Sequence, residues 1–177
     1  ASGAQPGVSS KNSATGPVAA HVFETPGTYT VTLTAFDGAN TDTTNTTITV
    51  QNPDAVFAGG NTICISTSGT FTGCPAGATQ TTSSDFVTAI ANQTTSKRLL
   101  FRRGETFTAA SPAAITVTGP GIVGAFGTGA APVVQMTGAQ TANNAPILNL
   151  SSANTPTIKD WRIMDLEFDG LSKTNSV

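Results

Sequence analysis

Charged side chains are scarce in this chain, since Asp, Glu, Lys and Arg together supply 10% of its residues. The formal net charge is -2, so the chain has no basic surplus that would attract a polyanion. Nucleic acid is therefore not expected as a partner. Uninterrupted apolar runs of about 18 residues or more are also missing, and the sequence predicts no membrane span.

Histidine and cysteine are almost missing as well, with 1 His and 2 Cys in 177 residues. His21 has no accompanying catalytic motif, so we interpret it as a structural side chain. A zinc site is disfavoured because so few His and Cys residues cannot supply its ligands.

The two cysteines are Cys64 and Cys74, in the segment ICISTSGTFTGCPAG. A turn at residues 67–70 predicts a hairpin whose flanks bring the two sulfur atoms together as a disulfide. Two free, buried thiols remain the alternative.

The sharpest pattern in the sequence is the alternation that begins at Thr28. Tyr29, Val31, Leu33 and Ala35 alternate with threonines, which predicts a half-buried β-strand over residues 28–36. The Asp37-Gly38-Ala39-Asn40 segment has turn chemistry, and Thr46, Ile48 and Val50 alternate again, so a hairpin ending at residue 51 is expected.

The spacing His-x-Phe-x-x-Pro-Gly-x-Tyr-x-Val-x-Leu-x-x-x-Asp, from His21 to Asp37, resembles the second half of a PKD-type domain. This family has an immunoglobulin-like sandwich fold and is common in secreted bacterial proteins. The resemblance covers about residues 17–51, and the Trp-Asp-Phe-Gly-Asp-Gly signature of the family's first half is not in the sequence. We therefore expect the chain to begin inside a domain. Together with the cysteine pair, the resemblance implies an oxidising extracellular compartment.

After residue 55 the pattern changes to brief apolar runs separated by Gly, Pro, Asn and Ser. The runs are Leu99-Leu100-Phe101, Ile115-Thr116-Val117, Ile122-Val123, Val133-Val134, Ile147-Leu148 and Ile163-Met164. They are too short for buried helices, and their spacing predicts a stack of short strands, as in a solenoid. A helical pattern precedes them at Ser83–Asn92, where cap residues lead into Phe86, Ala89 and Ile90.

The cysteine pair, this helix and three segments together resemble the opening of a right-handed parallel β-helix of the pectate-lyase-like class. The segments are KRLLFRRGETF, GPGIVGAFGTGAAPVV and IKDWRIMDLEFDG. A second β-sandwich is the alternative. The resemblance implies an amino-terminal cap over the first coil, a role that suits the disulfide hairpin and the helix. It also implies that the chain stops after a few coils.

The expected fold class is therefore all-β. A partial immunoglobulin-like sandwich should occupy residues 1–51 and a linker residues 52–55. The amino-terminal cap and first coils of a parallel β-helix, with one short capping helix, should occupy residues 56–177.

Carboxylates are concentrated in the segment Trp161–Gly170. On a strand, Asp165, Glu167 and Asp169 would share one face, where carboxylate oxygens could bind calcium. In pectate-lyase-like enzymes, calcium-binding carboxylates lie on the outer face of a parallel sheet. The sequence shows no matching cluster on a neighbouring coil, so solvated strand charges are the favoured interpretation, and no cofactor is required.

Three further side chains are candidates for carbohydrate contact. Arg102 and Arg103 could grip an acidic sugar, and Trp161 could stack on a sugar ring. The favoured alternatives are an Arg–Glu pair that closes a coil, involving Glu105, and a tryptophan that packs on the core. No catalytic residue is identified.

Two functions are consistent with these features. The first is a secreted or cell-surface bacterial β protein whose full-length parent binds or processes extracellular polysaccharide, as a lyase or hydrolase if it is an enzyme. The second is a structural or adhesive fibre subunit, in which neighbouring copies complete the uncovered strand at residues 28–36 by β-augmentation.

Overall fold

The computed structural model describes residues 13–21, 23, 25–137, 146–150 and 158–170. The chain divides into two compact units, Ala1–Val56 and Phe57–Val177. The described elements are mostly β-strands, so the expected all-β class is confirmed.

The first unit contains one long antiparallel hairpin. Strand β1 spans Gly27–Phe36 and strand β2 spans Thr41–Val50, and they pair from Gly27 with Val50 to Phe36 with Thr41. Asp37 sets the turn, because its Oδ1 accepts hydrogen bonds from the backbone N–H groups of Ala39 (2.9 Å) and Asn40 (2.7 Å). The predicted hairpin is confirmed. A one-turn helix, α1 (Pro53–Val56), follows in the segment predicted as a linker.

In its described residues, the second unit is built from short strands and one short α-helix, and a 3₁₀ turn at Gly59–Asn61 precedes the first strand. In chain order these are β3 (Thr62–Ser66), β4 (Thr79–Thr82), α2 (Phe86–Ile90), β5 (Lys97–Arg102), β6 (Thr106–Ala109), β7 (Ala113–Ile115), β8 (Gly121–Phe126), β9 (Val133–Met136), β10 (Leu148–Leu150), β11 (Trp161–Ile163) and β12 (Glu167–Asp169). The prediction of brief strands separated by turns is confirmed.

Every described strand pairing in this unit is parallel, and from β5 to β9 each strand pairs with the strand three positions later. The sheets have the orders β11-β8-β5-β3-β4, β12-β9-β6 and β10-β7. Parallel pairing of this kind requires the chain to travel around the unit and return beside its earlier path. The sheets therefore enclose a core to which each contributes one face.

The core is filled by alternate residues of these strands. Its fully buried members include Leu99, Phe101, Phe107, Ile115 and Val123. The inward row continues through Val134 to Phe168, which are paired in register. Phe168 is still 42% exposed, however, so burial is complete at β5 and incomplete at β12.

Helix α2 lies against the same core. Asp85 is its N-cap, with Oδ1 accepting from the backbone N–H groups of Val87 (2.9 Å) and Thr88 (3.1 Å), as expected for Asp at this position. The apolar stripe predicted for the helix, Phe86, Ala89 and Ile90, is buried. The ring of Phe86 lies 5.1 Å from that of Phe101 between centroids, so the helix packs on strand β5. The helix itself is shorter than the predicted segment 83–92.

A disulfide joins Cys64 to Cys74 with an S–S distance of 2.06 Å, which confirms the predicted bond. The predicted hairpin around it is wrong. Strand β3 pairs in parallel with β4 and with β5, and Cys74 lies in a loop rather than on a strand. The loop folds over the outer face of the five-stranded sheet, where Phe71 and Cys74 pack against Leu100 and Phe126.

Candidate functional site

The arginine–glutamate cluster after β5 lies between two turns of the second unit. The Nε of Arg102 is 3.3 Å from the Oε1 of Glu105. The same carboxylate accepts hydrogen bonds from Ser66 Oγ (3.0 Å), Ser68 Oγ (2.6 Å) and the backbone N–H of Thr67 (2.6 Å). Glu105 therefore ties the turn after β5 to the turn after β3, which matches the interpretation of this cluster as a structural pair.

The environment of Glu105 favours its charged form. Burial opposes the charge and by itself would raise the pKa, but the hydrogen bonds from Ser68, Thr67 and Ser66 outweigh it, so the pKa lies below its ordinary value of 4.5. Neutralising the carboxyl would weaken the acceptor of all these bonds.

The second candidate arginine pairs with one of the candidate carboxylates. Arg103 Nη2 lies 2.8 Å from Asp165 Oδ2, so two side chains 62 positions apart in the sequence meet at the surface. Asp165 has a positive φ of 60° and lies in the turn between β11 and β12 rather than on a strand. The expectation that Asp165, Glu167 and Asp169 share one strand face is therefore wrong for Asp165.

Glu167 and Asp169 lie together on the outer face of the sheet β12-β9-β6. Their register partners are Val133 and Gln135, and Gln135 Nε2 donates to Asp169 Oδ2 at 3.4 Å. Within the described ranges, no three His, Cys, Asp or Glu side chains are grouped closely enough to hold a metal ion. Calcium binding by these carboxylates stays a prediction.

Trp161 is half-buried and packs inward. Its indole Nε1 donates to the carbonyl oxygen of Val117 at 2.8 Å, and its ring lies over Gly121, where a Cβ atom would come within 2.6 Å of the ring carbons. The ring also contacts the core. This placement matches the packing interpretation, and it leaves the indole N–H already bonded.

A further polar surface lies on the hairpin of the first unit. The register places one row of side chains from each strand on the same face: Thr28, Thr30, Thr32, Thr34 and Phe36 on β1, with Thr49, Thr47, Asn45, Thr43 and Thr41 opposite them on β2. We call this the threonine face. It carries no charged side chain, and Phe36 at its end is 69% exposed.

The opposite face of the hairpin carries the apolar side chains of β1, together with Ile48 and the polar Asp42, Thr44 and Thr46 of β2. Tyr29, Val31 and Leu33 of β1 lie there beside Ile48 of β2. Leu33 is 64% exposed, and Val31 and Ile48 are each 39% exposed. The hairpin therefore presents two surfaces of different chemistry to its surroundings.

Sequence patterns missed the partners of Glu105 and the position of Phe36. Ser66, Thr67 and Ser68 directly follow an apolar strand, and such a run of short hydroxyl side chains is a signal for a turn that can bind a carboxylate. The alternation that predicted β1 extends one step further to Phe36, which identifies the face on which that ring lies.

Comparison with known proteins identifies a family for the first unit. The sequence model of the PKD domain family matches residues 5–50. The resemblance to a PKD-type, immunoglobulin-like domain is therefore confirmed for this part of the chain. No curated protein matches the chain, and no solved structure matches it.

Two observations bear on where the protein is found. PKD domains are typically extracellular, and a disulfide fits an oxidising compartment. Among the described helices, none has the length and apolar character needed to cross a membrane.

Proposed function

We propose that this chain is part of a secreted or cell-surface bacterial protein that associates with extracellular polysaccharide. The observation that carries the proposal is the combination of a PKD domain with a disulfide-bonded stack of parallel strands in one chain. Extended parallel sheets offer long outer faces along which a linear polymer can lie, and a second module in the same chain adds a second contact surface.

The second unit is proposed to be the cap and first coils of a right-handed parallel β-helix. From β5 onward, parallel pairing of each strand with the strand three positions later supports three strands per coil. Right-handed crossovers are the rule for parallel strands in one sheet. Helix α2 would be the cap, because Phe86 and Ile90 are fully buried against the first coil.

Affinity electrophoresis tests the association with polysaccharide. The intact chain is run in native gels cast with and without soluble neutral and uronic polysaccharides. Retardation in at least one polysaccharide gel, relative to a non-binding standard, is expected. Equal mobility in every gel would contradict the proposal.

A parent enzyme would have a further signature. Incubation of the full-length protein with polysaccharide and calcium would shorten the polymer, and a lyase would also produce an unsaturated product with ultraviolet absorbance. Chelation would reduce this activity if Glu167 and Asp169 hold calcium.

A second candidate function, assembly into a fibre, is favoured by the exposed apolar face of the hairpin. Isolated soluble domains rarely leave such a face open, and a neighbouring copy could cover it by adding strands. A contact of this kind that does not close on itself produces a filament.

Negative-stain microscopy distinguishes this candidate from the first. Filaments that disappear in the Leu33→Glu variant, but persist in Thr32→Glu on the opposite face, would support the fibre. A monodisperse wild-type chain at high concentration would count against it.

A further inference from the structure

The arginines that could bind an acidic sugar are already engaged within the second unit. Their partners lie at salt-bridge distance: Arg102 with Glu105 (3.3 Å), Arg103 with Asp165 (2.8 Å) and Arg162 with Asp160 (2.9 Å). A uronic carboxylate approaching any of these guanidinium groups would meet a protein carboxylate beside it. With a net charge of -2, the chain as a whole does not favour an anionic polymer either. Charge therefore points to a neutral ligand.

The threonine face has the complementary chemistry. Its threonine hydroxyls can both donate and accept hydrogen bonds, as sugar hydroxyls do. Thr34 and Thr43 are directly opposite each other beside Phe36 and Thr41, and no hydrogen bond within the described chain uses the hydroxyl of any of these threonines. Neighbouring hydroxyls are about 7 Å apart along a strand and about 5 Å apart across the pair.

Phe36 supplies an apolar surface at the end of this face. At 69% exposure the ring has almost no packing role in the hairpin, since its neighbours on the same face are threonines. An exposed aromatic ring beside free hydroxyls suits a pyranose, whose C–H face is apolar and whose rim is polar. Two-stranded ribbons twist strongly, so the surface fits one or two sugar residues rather than a crystalline sheet.

We infer that Phe36, with Thr34, Thr41 and Thr43, forms a binding site for an uncharged polysaccharide, on the face of the hairpin opposite to its apolar surface. This inference rests on the proposed association with polysaccharide and adds to it the site and the ligand class. Phe36 stacks on the sugar ring, and the three threonine hydroxyls bond its hydroxyl groups. Binding at a single site of this size is weak, so a polymer with many repeats is the appropriate probe.

The test compares two truncations on one strand. Phe36→Ala removes an exposed side chain from the threonine face, and Leu33→Ala removes an exposed side chain from the apolar face. Because both residues are largely exposed, both variants should fold, which circular dichroism checks. Retention is measured by affinity electrophoresis in hydroxyethyl cellulose, a neutral polymer, and in polygalacturonate, a uronic one.

Wild type and Leu33→Ala are expected to be retained by hydroxyethyl cellulose, with the retention unchanged at high salt. The dissociation constant should rise about tenfold in Phe36→Ala. A tenfold rise corresponds to about 1.4 kcal/mol, which is the order of free energy that one aromatic contact contributes. The double variant Thr34→Val, Thr43→Val keeps the shape of the side chains and should also bind more weakly.

If Phe36→Ala binds the neutral polymer as tightly as wild type does, the inference is wrong, but the proposed function still holds. The same conclusion would follow if only Leu33→Ala lost binding. It would also follow if polygalacturonate retained the protein more strongly than the neutral polymer did. If wild type is retained by neither polymer, nor by any other polysaccharide tested, the proposed function fails and the inference with it.

Discussion

Truncation of Phe86 to alanine removes the ring through which α2 closes the core of the second unit. The ring is fully buried and lies 5.1 Å from Phe101 and 6.2 Å from Phe168 between centroids. Deletion of a buried phenylalanine leaves a cavity and costs about 3–5 kcal/mol. For a unit of this size, the loss should lower the melting temperature by roughly 10–20 °C.

Thermal unfolding followed by circular dichroism or calorimetry measures this shift, with two control variants. Phe168→Ala removes the same group at a position that is 42% exposed, and Phe36→Ala at one that is 69% exposed. The expected order of destabilisation is Phe86, then Phe168, then Phe36, with almost no effect at the last position. Equal shifts in the Phe86 and Phe36 variants would refute the packing of α2 on this core.

Three further outcomes are expected. Reduction of the disulfide should destabilise the protein by about 2.5–3 kcal/mol, because the disulfide closes a short loop. A thiol assay on the native protein should detect no free sulfhydryl. Two titrating thiols would contradict the bond. Glu105→Gln should lower the unfolding free energy by about 1–3 kcal/mol at neutral pH, measured by chemical denaturation. The folded-state pKa of Glu105 lies below 4.5, so the charged carboxylate stabilises the fold fully above pH 4.5. This stabilisation is lost as the pH falls through the folded-state pKa, and the difference in unfolding free energy between wild type and variant should therefore be smaller at pH 3. Gly121→Ala should cost about 1–3 kcal/mol, because the added Cβ would lie 2.6 Å from the ring of Trp161. Gly170→Ala is the matched control, since its Cβ would meet no atom of the described residues within 4 Å. Equal stability of the two variants would be the contrary result.

The sequence predicted the elements whose signal is local. Strand β1 was predictable because alternation with period two and a preceding Pro-Gly turn act on the same residues. Helix α2 was predictable because Asp85 can cap it and because Phe86, Ala89 and Ile90 have helical spacing. The disulfide was predictable from the short separation of its cysteines and the extracellular character of the resemblance.

The incorrect predictions concern contacts between residues that are distant in sequence. A turn between two cysteines indicates a hairpin, but β3 instead pairs with β4 and β5, and nothing local specifies parallel neighbours 16 or more residues away. The pairing of Arg103 with Asp165 likewise depends on how the coils stack. The positive φ of Asp165 removes it from the strand on which simple alternation placed it.

The site candidates show the same limit. Arg102 and Trp161 have residue types that suit carbohydrate contact, yet each is engaged inside the protein, with Glu105 at 3.3 Å and with the carbonyl of Val117 at 2.8 Å. Residue type alone cannot distinguish a side chain that is available to a ligand from one that is already bonded. Phe36 was overlooked for a different reason: alternation places its ring on the threonine face, but the sequence does not show that the ring is largely exposed.

Chemical-shift mapping on the isotopically labelled chain tests the central claim most directly, because it reports both whether a neutral glycan binds and where. Titration with a neutral oligosaccharide of the cellulose type should shift the amide signals of Thr34, Phe36, Thr41 and Thr43, with smaller changes on the apolar face of the hairpin. An absence of shifts at the highest attainable oligosaccharide concentration, or shifts confined to residues 57–170, would contradict the account.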